Sequence, residues 1–169
     1  LQVKGVITLM TNLFLFISFL LGVSIVFGSG FVSYANENNK IPRFASLKAD
    51  EVNLRIGPNK KDFPIEWVYK RRGLPVEITA VSDTWRRIRD HEGTTGWVWH
   101  SLISSKRTVI VIDENRTLHY SPDYNSKALA ILEPGVIGNL LACTTNWCQI
   151  ELRGKKGWLK RSHIWGVRN

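Results

Sequence analysis

The dominant periodicity in the chain is two. Val76-Glu77-Ile78-Thr79-Ala80-Val81 alternates and is rich in β-branched residues, as a half-buried strand should be. Arg86-Arg87-Ile88-Arg89 and Gly96-Trp97-Val98-Trp99 read as two further strands around a polar, glycine-containing turn, Asp90 to Thr95. Gln149-Ile150-Glu151-Leu152 and Gly157-Trp158-Leu159 flank Arg153-Gly154-Lys155-Lys156 in the same manner. Outside the first 35 residues, no stretch sustains helical periodicity. Short, regularly spaced strands separated by turn signals predict an all-β chain built from small barrels.

The two sets of strands are copies. Leu54 aligns with Leu118, Pro58 with Pro122, Gly73 with Gly135, Trp85 with Trp147, Ile88 with Ile150, and Trp97 with Trp158. The offset falls from 64 to 62 to 61, so only short loop deletions separate the copies. Two tandem modules are expected, residues 45–104 and residues 108–166, after a flexible polar lead over 36–44. The only linker candidate, Ser104-Ser105-Lys106-Arg107, is too short for independent tumbling.

The first 35 residues differ. Gly5 to Asn36 carry no charge, and Leu13-Phe14-Leu15-Phe16-Ile17 with Phe19-Leu20-Leu21 make an almost continuous apolar run. A basic start, an apolar centre and the small-x-small end Ser33-Tyr34-Ala35 predict an export signal over residues 1–35. The run is also long enough to stay uncleaved as an anchor helix. In either case the modules lie outside the cytoplasm: periplasmic or secreted, or anchored to the inner membrane. Membrane contact is expected only through this segment, if it is uncleaved.

Cys143 and Cys148 flank Thr-Thr-Asn-Trp between two strand-like segments. A hairpin would place them opposite one another, near the ~5.5–6 Å Cα separation of a disulfide. Export favours oxidation. Zinc would need more than two thiols, and a nucleophile would need an activating base; two buried free thiols are the remaining alternative.

The formal net charge is +9, and Lys4 is the only charged residue before Glu37. A field of that sign favours anionic partners such as nucleic acid, acidic lipids or wall polymers. Export removes nucleic acid from that set. The seven Trp suit small modules, which need large aromatics to build a core.

Glu51-Val52-Asn53-Leu54-Arg55-Ile56-Gly57-Pro58, followed by Gly73-Leu74-Pro75-Val76, Trp85-Arg86-Arg87-Ile88 and Gly96-Trp97-Val98, resembles the bacterial SH3 domain family. The run Trp67 to Val98 is similar to a subgroup in exported proteins of Gram-negative bacteria. The second module resembles the family as a degenerate copy, with Thr117-Leu118-His119-Tyr120-Ser121-Pro122 at the opening motif. The resemblance implies two SH3-like β-barrels of five or more strands, non-catalytic, binding peptidoglycan or its peptides. An adaptor for an envelope protein is the alternative reading.

Parity and the repeat select the ligand candidates. Trp99 aligns with Lys160, so its face is expected to be exposed; Trp85 has odd spacing from the inward Ile88. Trp85, Trp99 and Trp147 are therefore candidates, with Trp67 and the basic residues Arg55, Arg86 and Arg87. Arg86 and Arg87 point to opposite faces and cannot share one patch. The first module is expected to make the contacts, and the second to be mainly structural. The four histidines, His91, His100, His119 and His163, form no recognisable catalytic or metal motif. No enzyme activity, cofactor or metal is expected.

Overall fold

In the computed structural model, which describes residues 40–168, the alternating segments form fourteen strands in two antiparallel sheets. The first sheet holds β1 (Arg43–Leu47), β2 (Val52–Arg55), β3 (Ile65–Tyr69), β4 (Pro75–Ser82), β5 (Trp85–Arg89), β6 (Thr95–Trp99) and β7 (Ile103–Ser104). The second holds β8 (Thr108–Val111), β9 (Arg116–His119), β10 (Ala128–Leu132), β11 (Ile137–Cys143), β12 (Trp147–Leu152), β13 (Lys155–Lys160) and β14 (Ile164–Trp165). Their orders are β3-β2-β6-β5-β4-β1-β7 and β10-β9-β13-β12-β11-β8-β14, which correspond strand for strand. The expected signal or anchor helix over residues 1–35 lies outside the described residues. Within them, no helix is long and apolar enough to cross a membrane.

Even the irregularities repeat. The β4–β5 ladder shifts register between Ile78 and Ala80, and the β11–β12 ladder shifts between the equivalent Leu140 and Ala142. The β2–β3 and β9–β10 ladders also shift at equivalent places. Such bulges bend a strand and increase its twist, which helps a short sheet curl. The first core shows that curling. Leu54, Ile78, Ile88 and Val98 are fully buried together, and Tyr69 of β3 and Ile103 of β7 pack on the same cluster. Strands at opposite ends of the order thus meet across one core, consistent with an SH3-like barrel.

The Gly-Trp-aliphatic signature has a steric cause. A Cβ on Gly96 would lie 2.6 Å from Leu54 Cγ, and one on Gly157 would lie 2.5 Å from Leu118 Cγ. Glycine lets the opposed strand's leucine cross the barrel interior. Val98 and Leu159 then point inward and are fully buried, while Trp97 and Trp158 take the outer face.

One expectation is corrected at the start of the first module. β1 begins at Arg43, inside the segment read as a flexible lead. Arg43 and Phe44 pair with Ile78 and Glu77, and Phe44 is buried. The strand is five residues long and Phe44 to Leu47 are all buried, so it carries no polar–apolar alternation to read.

The modules share packing. Ile110 of β8 is fully buried in the first module's core, with Ile112, Ile137 and Trp165 packed against the same cluster. The Phe44 and Trp165 rings meet edge to face at 5.0 Å. Thr108 Oγ1 donates to the Gly73 carbonyl at 2.7 Å, and Ser46 Oγ donates to the Lys106 carbonyl at 2.8 Å. The described residues fall within one compact unit.

Cys143 and Cys148 are disulfide-bonded across the β11–β12 hairpin, with Cα atoms 4.0 Å apart. They approach more closely than the sequence reading assumed because Thr144 and Trp147 carry the adjacent backbone bond, leaving the cysteines at a narrow, non-hydrogen-bonded position. Such a short loop limits what the bond contributes through chain entropy. Replacing both cysteines with serine should cost about 2 kcal/mol, measured by urea unfolding of the oxidised protein and the variant.

Candidate functional site

On the first module, parity places the outward side chains correctly. Trp85 lies opposite Trp99, while Arg87 and Arg55 lie on either side of Trp97 across β5, β6 and β2. Parity does not reveal what covers that face. Trp85 is only 6% exposed, because the Trp99 ring meets it edge to face at 5.3 Å. Lys60, from the loop between β2 and β3, places its ammonium 5.8 Å from the Trp99 ring centre. Trp99 itself is half-buried rather than exposed.

Arg86 and Arg55 are both anchored to nearby backbone. The Arg86 guanidinium donates to the carbonyls of Asp83 and Trp85, at 2.8 Å each, and so ties down the β4–β5 turn. Arg55 donates to the Phe63 carbonyl at 2.7 Å and secures the β2–β3 loop. Arg87 is exposed beside Trp97. Trp67 is 56% exposed on the edge strand β3, and Trp147 lies on the other module.

The second module reuses these positions with different residues. Trp147 occupies the place of Trp85, but Lys160 stands opposite it where Trp99 stands in the first module. His119 replaces Arg55, and the loop offset of 64 aligns Tyr124 with Lys60. Cation and ring have exchanged places: Lys160 Nζ lies 5.2 Å from the Tyr124 ring centre. A lysine cannot cover Trp147 as an indole covers Trp85. A cavity of about 250 Å³ remains, with Trp147, His119, Tyr124, Lys160, Arg116 and His163 among its walls.

Three aromatic rings are mutually packed in this site. Tyr124 lies 5.0 Å from Trp147, His119 lies 5.5 Å from Trp147, and His119 lies 5.9 Å from Tyr124, all edge-on. Such pairs contribute about 0.5–1.5 kcal/mol each beyond area burial, so the walls are preformed. His119 is 8% exposed, and its Nδ1 has no hydrogen-bond partner among the described residues. Burial, then the neighbouring cations Arg116 and Lys160, push the His163 imidazole below its ordinary pKa. It is therefore neutral at pH 7. Arg116 is paired with Glu114 at 2.9 Å, whereas Lys160 has no carboxylate partner among the described residues.

The arrangement offers ring faces, a lysine and imidazole hydrogen-bonding groups around one opening. It suits a small ligand with an apolar or C–H-rich face and a nearby carboxylate. Of the sequence-selected residues, only Trp147 belongs to it. His119, Tyr124, Lys160 and His163 were not selected, although the substitution of Lys160 at the Trp99 position was a visible signal. Among the described residues, no cluster of three or more His, Cys, Asp or Glu could hold a metal.

Comparison with known proteins agrees with the repeat. The family model described as bacterial SH3 domain matches residues 48–105 and again residues 114–166, together more than half of the chain. No curated protein matches the sequence. Among solved structures, an NlpC/P60 family protein from Bacillus cereus is 14% identical, with 72% of this chain and 55% of that chain covered and a TM-score of 0.33. NlpC2 from Trichomonas vaginalis is 9% identical, with 73% and 48% covered and a TM-score of 0.34. NlpC1 from the same organism is 10% identical, with 74% and 46% covered and a TM-score of 0.34. The chain spans about half the length of these structures.

Proposed function

Because the chain belongs to the bacterial SH3 domain family, we propose that it is a non-catalytic, exported binding protein that recognises peptidoglycan or its peptides. Both modules act outside the cytoplasm, in keeping with the disulfide and the apolar leader. The observation that carries this reading is the open aromatic pocket around Trp147. Sugar rings and short peptides offer C–H faces to its rings, and wall-peptide carboxylates suit Lys160. Recognition thus moves from the first module, where the equivalent space is filled by Trp99, to the degenerate second one.

The test is retention of the full chain, in mild detergent, on insoluble peptidoglycan sacculi across a salt series. Saturable retention should survive physiological salt, because ring packing is not screened as surface charge is. Trp147→Ala should weaken it about tenfold, the ~1.4 kcal/mol equivalent of losing one aromatic wall. Retention that vanishes with modest salt would reduce the interaction to a nonspecific positive field.

A second reading is favoured by one specific feature. Ile65 and Trp67 are exposed on β3, an edge strand of the first sheet. Unpaired edges with exposed apolar side chains suit strand addition by a protein partner. An adaptor would capture one envelope protein, and Trp67→Ala rather than Trp147→Ala would abolish that capture.

A further inference from the structure

A second cavity, of about 570 Å³, opens where the two modules meet. Arg43, Arg107, Arg161 and Arg168 line it, with Phe44 and Leu141 among its apolar walls. Arg43 comes from β1, Arg107 from the linker, and Arg161 and Arg168 from the end of the second module, so neither barrel builds the site alone. Among the described residues, no carboxylate lines it and none of the four arginines is in a salt bridge. Unpaired clusters of this kind are costly to assemble, since like charges repel most where water is partly excluded.

Three of the four guanidiniums are held in place by the backbone. Arg107 donates to the Gly166 carbonyl at 2.7 Å, and Arg161 donates to the Thr144 and Thr145 carbonyls at 3.2 and 3.3 Å. Arg168 donates to the Pro42 carbonyl. The Arg107 guanidinium also lies 5.5 Å from the Phe44 ring centre. Each guanidinium carries five donors, so anchoring leaves several free. The Nε atoms of Arg107 and Arg161 are buried and have no hydrogen-bond partner among the described residues. Burial, then Arg168, pulls Arg107 below its ordinary pKa; burial, then Arg86, does the same to Arg43. Cations that are fixed, crowded and short of counter-charge form a prepared anion site. Fixing them before binding also reduces the ordering cost of capture.

We infer that this inter-module cleft binds a ligand carrying two or more oxyanion groups, phosphate or carboxylate, which bridges guanidiniums from both barrels. The inference is independent of the wall-binding reading, because it uses none of the residues around Trp147.

Titration calorimetry on the full chain, with inorganic pyrophosphate and with citrate as separate probes, tests it. One saturable site is expected. Arg43→Gln with Arg168→Gln should weaken it at least tenfold, while Arg43→Lys with Arg168→Lys should lose less. Lys155→Gln with Lys156→Gln, exposed on β13, removes the same charge elsewhere and should leave affinity within about twofold. Binding of pyrophosphate alone assigns a phosphate ligand, binding of citrate alone a polycarboxylate, and binding of both a general multivalent oxyanion site. The melting temperature without probe is read for each variant; if the glutamine pair does not fold, the single change Arg43→Gln takes its place. The inference is overturned if neither probe binds below about 10 mM, or if the β13 control weakens binding as much as the cleft pair. Loss of sacculus retention in Trp147→Ala with pyrophosphate binding intact would separate the two sites.

Discussion

Truncating Ile110 to alanine will destabilise both modules together. Ile110 belongs by sequence and ladder to the second module, where it pairs with Ile137 and Trp165. Its side chain is nevertheless fully buried in the first module's core, in one cluster with Leu47, Val76 and Ile78. Removing three buried carbons leaves a cavity that packed neighbours only partly fill, at a cost of about 3 kcal/mol. In a unit of this size that loss corresponds to roughly 10 °C in melting temperature. Calorimetry of Ile110→Ala should show one transition, moved down as a whole. Two transitions, with only one displaced, would mean that the barrels unfold separately and that their shared packing is weak.

Lys160→Trp should close the candidate site without harming the fold. In the first module Trp85 and Trp99 face each other across β5 and β6, and their rings meet at 5.3 Å. Trp147 and Lys160 hold the same ladder position in β12 and β13. An indole at 160 should therefore lie over Trp147 and fill the cavity. Stability should be unchanged or raised by up to about 1 kcal/mol, while retention on sacculi falls by more than tenfold. Lys160→Met separates the contributions, since it removes the charge without supplying a ring. If Lys160→Trp binds as well as the parent, the cavity around Trp147 is not the wall-binding site.

The repeat made most of the fold legible. Leu54 with Leu118 and Ile88 with Ile150 are buried equivalents in two sheets of identical order. Alternation also put Trp85 on the correct side of its strand. What alternation could not express was cover: Trp99 lies over Trp85, and whether a ring is covered depends on contacts between strands and loops. The arginines show a related limit. Charge marks them in the sequence, but only the fold shows that Arg86 ties down a turn and Arg55 a loop through nearby carbonyls.

The second module's pocket was half legible. Lys160 at the Trp99 position is in plain view and shows that the face tolerates polarity. The same substitution also removes a covering ring. His119 and Tyr124 come from different segments, and only the folded sheet brings them to Trp147. The inter-module cleft was not legible at all. Arg43 and Arg168 lie at opposite ends of the described chain and meet only because two barrels pack on each other.

The second module's aromatic pocket is the proposed ligand site. The most direct measurement is an NMR titration of the full chain, labelled at its tryptophan indoles, with soluble muropeptides. The seven indole N–H groups give one resonance each, and Trp67, Trp85 and Trp147 lie on different strands. A saturable shift of the Trp147 resonance is expected, with Trp85 and Trp67 unmoved. A shift of Trp67 or Trp85 with Trp147 unchanged, or no shift at any indole, would contradict that assignment.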